Sequence, residues 1–101
     1  MVKEFDLEKR TTEFAKAVIR LCNILPKSSI NNRLVDQVVG SAGSIGANYR
    51  EANDAAGKKD IIIRMKIARR EAKESEHWLE LIVEANLSMK TEILSLINES
   101  G

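Results

Sequence analysis

The hydrophobic positions of this chain repeat at the spacing of α-helices along almost its whole length. The first helix carries a stripe of Phe14, Val18, Leu21 and Leu25. The pattern predicts four helices, over residues 7–25, 30–56, 59–85 and 89–98. Because the predicted connections are short, neighbouring helices are expected to be antiparallel. The predicted fold class is therefore an all-α, antiparallel up-down four-helix bundle with a short fourth helix.

The predicted helix ends rest on a few residues with specific backbone preferences. Pro26 ends the first helix, because proline cannot continue a helix and disfavours helical angles at the preceding residue. Ser28 or Ser29 is placed to cap the start of the second helix. Gly57 is expected to end that helix in the left-handed conformation.

Residues 40–52 in the second helix form the most unusual segment. Helical spacing of apolar residues continues through it, yet it is interrupted by Gly40, Gly43 and Gly46. Each glycine costs about 0.8–1.0 kcal/mol relative to alanine in a helix interior. We therefore expect another helix to pack closely along this small-residue face. A phosphate-binding loop is the weaker interpretation, because no Lys-Ser/Thr pair follows the last glycine.

The third predicted helix has two separate apolar faces. One contains Ile61, Met65, Ala68, Ala72, Leu79 and Val83, and fits packing within the bundle. The second face is more than a monomer of 101 residues easily covers, and it predicts a subunit interface formed by Ile63, Ile67, Trp78 and Leu81. Coverage by the fourth helix is the alternative, although that helix has only about three turns.

Charge along the third helix runs against the helix dipole. Cations crowd its first part and glutamates its second, whereas the dipole favours the opposite order by about 0.3–1 kcal/mol per charge near the ends. Either these charges pair with neighbouring helices or subunits, or the cations contact phosphate. The candidate nucleic-acid-binding residues are Lys58, Lys59, Lys66, Arg69, Arg70 and Lys73. Because no aromatic residue lies among them, they would contact the nucleic-acid backbone rather than the bases.

Two glutamates of the third helix, Glu71 and Glu74, lie at the margin of the second apolar face. Because half-buried carboxylates need partners, we expect a structural polar network of Asn48, Arg50, Arg64, Glu71 and Glu74. Catalytic carboxylates are the weaker interpretation, because no nucleophile or second histidine accompanies them.

Glu74 and His77 have the Glu-x-x-His spacing that places both side chains on one helix face, as in di-iron bundles. However, His77 is the single histidine of the chain, and it lies on the polar stripe of the third helix. We therefore expect neither a metal nor another cofactor.

Composition narrows the class of protein. With 44% hydrophobic and 31% charged residues, the sequence fits one helix-rich domain over residues 1–101. A net charge of +1 leaves only local patches to attract nucleic acid. The single Cys22 excludes an intrachain disulfide, and the sequence shows neither a membrane span nor a signal-peptide core. We expect a cytoplasmic protein without enzymatic activity or membrane association.

Several segments, at residues 10–15, 25–26, 41–52, 58–60 and 68–80, together resemble a known family. The string SIGANYREA followed by ExxxWLE is especially specific. The chain resembles the bacterial four-helix-bundle family encoded by intervening sequences of 23S ribosomal RNA, formerly labelled S23 ribosomal protein. The resemblance implies a ring-like homopentamer without enzymatic activity, although the fourth helix is shorter here than in the family.

The chain is also similar to accessory proteins of diversity-generating retroelements. That similarity implies pentamers that bind nucleic acid and a reverse transcriptase through basic surfaces, here the cations of the third helix. The predicted function is an oligomeric bundle that binds RNA or DNA, or that scaffolds a nucleic-acid enzyme. The alternative is a purely protein–protein assembly module, and a metal-binding bundle using Glu74 and His77 comes third.

Overall fold

The computed structural model describes the backbone of residues 4–100 and the side chains of residues 7–98. These residues form α1 (Glu4–Ile24), α2 (Ser29–Asn53), α3 (Lys58–Ala85), a 3₁₀ turn (Leu87–Met89) and α4 (Lys90–Ser100). The described backbone contains no strand, and the predicted all-α bundle is confirmed. The fourth helix is short, as predicted, with 11 residues against 28 in α3.

All four helices contribute fully buried side chains to one core. α2 packs along α3 and also against α1, while α4 packs against α1. The centre of the core is formed by Val18, Leu21, Val38, Ile82 and Ile93. Since each helix buries only one side, the bundle is held together mainly by the removal of these apolar stripes from water.

The predicted cap of α2 is confirmed at its start and wrong at its end. Ser28 has extended backbone angles, and its Oγ accepts a hydrogen bond from the Asn31 N–H at 3.0 Å. α2 ends at Asn53, where the Asp54 N–H bonds the carbonyl of Arg50 at 3.2 Å. Gly57 is not a left-handed C-cap; it precedes α3 with a φ of −128°. The N–H groups of Asp54 and Ala55 bond the carbonyls of Arg50 and Ala52, so α2 ends without a left-handed residue.

The expected close packing of the glycine face is found at Gly46 alone. A Cβ at Gly46 would lie 3.0 Å from Oγ1 of Thr11 in α1. Gly40 and Gly43 are exposed, and a Cβ at either would meet no atom within 4 Å. Within this chain, the expectation is wrong for those two positions. A spacing of three residues rotates successive glycines by about 60° around the helix axis, so one can face α1 while the others turn away.

The side of α3 that faces the core lies between the two predicted apolar faces. Ala68, Ser75 and Ile82 form the buried line, with Leu79 and Trp78 flanking it on opposite sides. The prediction placed Ala68 on the inner face but missed Ser75 and Ile82, because Ser75 is polar and interrupts the apolar pattern. Trp78 packs partly against the core of its own chain.

Two residues of the predicted inner face, Ile61 and Met65, are instead 40% and 41% exposed. Their exposure follows from the length of α4. Its last described side chains, Ile97 and Asn98, line a groove together with Ala72 and Glu76 of α3. Among the described side chains, those of α4 therefore reach Ala72 and Glu76, and Ile61 and Met65 lie one to three turns before that level of α3.

Candidate nucleic-acid interface

The six candidate cations all lie exposed in the first sixteen residues of α3. They are Lys58, Lys59, Lys66, Arg69, Arg70 and Lys73. The Nε of Arg70 lies 4.0 Å from a carboxylate oxygen of Glu74, one turn along the same helix, and both side chains are well exposed. Ion pairs on the surface contribute little to the stability of the fold. Among the described residues, no other ion pair involves these six, so their charge is not neutralised by a neighbouring helix.

The candidate interface residues occupy different environments. Ile63 and Leu81 are 46% and 38% exposed, whereas Ile67 and Trp78 are half-buried. The ring of Trp78 contacts the ring of His77 edge to face, with centroids 5.0 Å apart. The indole Nε1 of Trp78 is buried and has no hydrogen-bond partner among the described residues. Because α4 packs against α1, it leaves Ile63 and Leu81 uncovered.

The residues of the predicted polar network lie in separate places. Arg50 donates a hydrogen bond to Glu8 of α1 at 2.9 Å and another to Thr12 Oγ1 at 3.0 Å. Arg64 donates to Oδ1 of Asn48 at 3.2 Å, which links α3 to α2.

The two glutamates of that network join neither pair. Glu74 pairs with Arg70, and the backbone carbonyl of Glu71 accepts a bond from Ser75 Oγ at 3.0 Å. The structure thus brings Asn48 and Arg64 together, and it directs Arg50 towards α1.

A buried pair of amides that the sequence interpretation missed joins two chain connections. Asn31 and Asn86 each donate one side-chain N–H to the other's carbonyl oxygen at 2.9 Å. Their remaining N–H groups donate to the carbonyls of Pro26 and Ile82, both at 2.8 Å. All four amide hydrogens are therefore used in the interior. These hydrogen bonds link the connection between α1 and α2 to the end of α3. The two asparagines are 55 positions apart, so no local sequence pattern relates them.

A second buried polar pair lies where α2 meets α3. The hydroxyl oxygens of Ser41 and Ser75 are 2.9 Å apart. The Ser41 hydroxyl oxygen also lies 3.3 Å from the carbonyl of Val38. Because each hydroxyl carries one hydrogen, the two serines supply two hydrogen bonds among the contacts between Ser41 and Ser75, Ser41 and Val38, and Ser75 and Glu71. Small side chains at this contact allow the two helix backbones to approach closely. It is Ser41, rather than Gly40 or Gly43, that meets α3.

The remaining chemically reactive side chains form no recognisable catalytic group. Cys22 is half-buried, and burial raises the pKa of its thiol, which disfavours the reactive thiolate. Within residues that the structure describes, no cluster of three or more His, Cys, Asp or Glu side chains could hold a metal ion. None of the described helices is both long and apolar enough to cross a membrane.

The fold and surface define a short four-helix bundle with a concentration of exposed cations on its third helix. The chain matches the family of 23S rRNA-intervening sequence proteins over residues 3–101, and it belongs to that family. The predicted family resemblance is thereby confirmed.

Comparison with solved structures agrees with the family assignment. The chain is similar to a crystal structure from Bacteroides thetaiotaomicron, described as a protein with unknown function from the S23 ribosomal protein family. The two are 32% identical, with a TM-score of 0.75 over 92% of this chain and 86% of that chain. A comparison with curated proteins finds no match.

Proposed function

We propose that this protein is a non-enzymatic, oligomeric accessory protein of the cytoplasm that binds the phosphate backbone of RNA or DNA through α3. The observation that carries the proposal is the set of six exposed cations between Lys58 and Lys73. Asp60 is the exposed carboxylate among them, Glu71 is half-buried and Glu74 pairs with Arg70, so the exposed surface of this part of α3 is mainly positive.

Oligomerisation would make a weak phosphate contact useful. The net charge of +1 supplies no long-range attraction from the whole chain, so binding depends on the local patch. A ring, such as a homopentamer, repeats the patch around its axis, and linked sites bind more tightly than one site by effective concentration. Such an assembly could also hold a nucleic-acid enzyme, for example a reverse transcriptase, next to its template.

Binding to nucleic acid will depend steeply on salt. Removing one phosphate-contacting charge, as in Lys66→Ala or Arg69→Ala, will lower affinity for unrelated sequences alike. It will also reduce the slope of log K against log salt by about 0.9 for duplex DNA and about 0.7 for single strands. Fluorescence anisotropy with labelled oligonucleotides over a salt series measures both effects.

Lys27→Ala is the matched control, because Lys27 is exposed in the connection between α1 and α2, which lies at the opposite end of α3 from the six cations. It is expected to leave affinity and slope unchanged. No binding at about 50 mM salt, where phosphate contacts are least screened, would contradict the proposal. An equal loss in Lys27→Ala would contradict a localised site.

Homo-oligomerisation is expected through the exposed apolar side of α3. Ile63→Glu and Leu81→Glu will shift the protein towards monomer in multi-angle light scattering, because a charge would be buried in the interface. Both side chains are exposed in the single chain, so the helical circular dichroism signal should persist. Ile24→Glu is the control, since Ile24 is 43% exposed at the end of α1. A wild-type protein that is already monomeric at micromolar concentration would refute this interface.

A protein–protein assembly module is the second candidate function. It is favoured by the exposed Ile63 and Leu81, because exposed apolar patches mark association surfaces without requiring nucleic acid. An oligomer that binds no oligonucleotide at low salt would support this second function over the first.

A further inference from the structure

The exposed side of α3 that carries Ile63 and Leu81 has the spacing of a helix that pairs with another helix. Its side chains recur at alternating intervals of four and three residues, as in a seven-residue repeat. These six residues form the outer stripe of α3: Ile63, Ile67, Arg70, Glu74, His77 and Leu81. All are exposed except Ile67, which is half-buried. α4 lies on another side of α3, next to Ala72 and Glu76, so its length does not decide whether the outer stripe is exposed.

The outer stripe is complementary to itself when a second copy is turned end for end. Its middle residues are Arg70 and Glu74, and its ends are Ile63 and Leu81. When a twofold axis relates two antiparallel helices, the numbers of the residues that face each other have a constant sum. A register that places Ile63 against Leu81 of the second copy therefore also places Arg70 against Glu74. Each of these contacts then occurs twice, once on either side of the axis.

Charge selects the antiparallel orientation over a parallel one. A parallel pair would place Arg70 against Arg70 and Glu74 against Glu74, and like charges brought together oppose association. Within one chain, the Arg70 and Glu74 side chains are 65% and 48% exposed, so both charges are accessible to a second copy. Polar residues in the seam between paired helices specify register and partner at some cost in stability. The apolar residues at both ends of the stripe supply the contact area.

The edge of such a contact would carry charges of both kinds. In nearly the same register, Lys66 of each copy lies opposite Glu80 of the other, whereas Lys73 lies beside the axis and faces its own copy. All three side chains are exposed. Because the long lysine side chain can turn into water, one like pair at the edge opposes the contact less than two opposite pairs favour it.

α2 leaves space for a second copy beside the outer stripe. Glu51 of α2 lines a shallow cleft together with Ile63 and Ile67 of α3. Gly40 and Ala47 lie on the same side of α2 as Glu51, since spacings of eleven and four residues correspond to nearly whole turns. Both are exposed, and a Cβ at Gly40 would meet no atom within 4 Å. These small residues let another helix approach α3 without meeting a long side chain of α2 at either position.

We propose that the outer stripe binds the outer stripe of a second copy in antiparallel orientation, with Arg70 of each copy paired to Glu74 of the other. The proposal rests on the proposed oligomerisation through α3 and adds the geometry of that interface. A contact of this kind closes with two copies. It therefore gives a dimer, or it joins two rings that are built through another surface. It also accounts for the order of charges along α3, which runs against the helix dipole.

The antiparallel contact leaves part of the basic segment free for phosphate. Lys58 and Arg69 lie at least about 120° around α3 from the line of Ile63 and Leu81. Both cations are exposed, and in the described part of the chain neither forms an ion pair. Arg70 is withdrawn from phosphate binding by this contact, whereas Lys58 and Arg69 stay available in the dimer.

Charge reversal in the full chain tests the antiparallel contact. Arg70→Glu and Glu74→Arg should each weaken dimerisation by about tenfold or more, because two contacts between opposite charges become contacts between like charges. The double variant Arg70→Glu/Glu74→Arg should recover dimerisation, since the opposite signs return in exchanged positions. An equimolar mixture of the two single variants should form mixed dimers for the same reason. Sedimentation velocity over a concentration series measures dimerisation in each case.

Arg69→Glu and Glu76→Arg are the matched controls, because they reverse the same charges on exposed residues of α3 away from the outer stripe. Both should leave dimerisation unchanged, and Arg69→Glu should still lower affinity for oligonucleotides. Recovery in the mixture also shows that the single variants are folded, which the helical circular dichroism signal checks independently.

The outcomes separate this geometry from the proposed oligomer itself. Dimerisation of Arg70→Glu equal to that of the wild type, or no recovery in the double variant, would overturn the antiparallel contact. If Ile63→Glu still dissociated the oligomer, the proposed interface through α3 would stand without this geometry. A wild-type protein that is monomeric at micromolar concentration would overturn both.

Discussion

Replacing Asn86 with alanine will lower the free energy of unfolding by about 3 kcal/mol. The substitution removes the hydrogen bonds to Asn31 and to the Ile82 carbonyl, and it leaves the buried Asn31 amide with unsatisfied groups. An unsatisfied buried polar group costs about 1–3 kcal/mol, more than the net gain of a typical hydrogen bond. For a domain of this size, the melting temperature should fall by roughly 12–24 °C.

Asn32→Ala is the matched control, because Asn32 is exposed and adjacent to Asn31 in sequence. It should change the free energy of unfolding by less than about 0.5 kcal/mol. All variants should be melted at one protein concentration, since oligomerisation makes the melting temperature depend on concentration.

A double-mutant cycle with Asn31→Ala isolates the contact between the two amides. The combined variant should lose less stability than the two single losses together, by about 0.5–3 kcal/mol. Strict additivity, or equal losses in Asn86→Ala and Asn32→Ala, would show that the amide pair does not couple the two connections.

Replacing glycine with leucine at positions 43 and 46 will have opposite effects on stability. Gly46→Leu is expected to destabilise the protein by about 1–3 kcal/mol, because its Cβ alone would lie 3.0 Å from Oγ1 of Thr11. Gly43→Leu is expected to stabilise it by about 0.5–1 kcal/mol, because its Cβ meets open space and leucine favours the helix. Urea denaturation monitored by circular dichroism measures both changes.

The two positions are three residues apart on the same helix, so each serves as the control for the other. A stabilised Gly46→Leu variant would show that Thr11 of α1 can move aside at little cost in folding free energy. A destabilised Gly43→Leu variant would contradict the open environment of Gly43, and analytical ultracentrifugation would then reveal whether that variant also loses an oligomer contact.

Much of the local structure was predictable because it depends on neighbouring residues. Pro26 and Ser28 mark the boundary between α1 and α2, and each helix end in the structure lies within three residues of its predicted position. Exposure of the cations on α3 was also predictable, since they recur on the side opposite the buried stripe. These features follow from helical periodicity and capping, which act over one or two turns.

The mistaken predictions share a different physical origin. Gly40 and Gly46 have the same intrinsic cost in a helix. Their environments differ because Thr11 of α1 lies against Gly46, whereas no atom lies near the Cβ position of Gly40. Ile61 and Met65 have the periodicity of core residues, yet α4 ends before reaching them. Whether a periodic apolar residue is buried depends on which helix lies opposite, and that information is non-local.

The sequence by itself determined the number and order of the helices, the family and the position of the basic segment. Each of these depends on residue types at short spacings, which the chain carries before it folds. Only the tertiary structure decided that Asn31 bonds Asn86, that Ser41 meets Ser75 and that a groove opens beside Ala72. Those features arise from the relative positions and lengths of whole helices, because contacts between distant residues form only when their shared core is assembled.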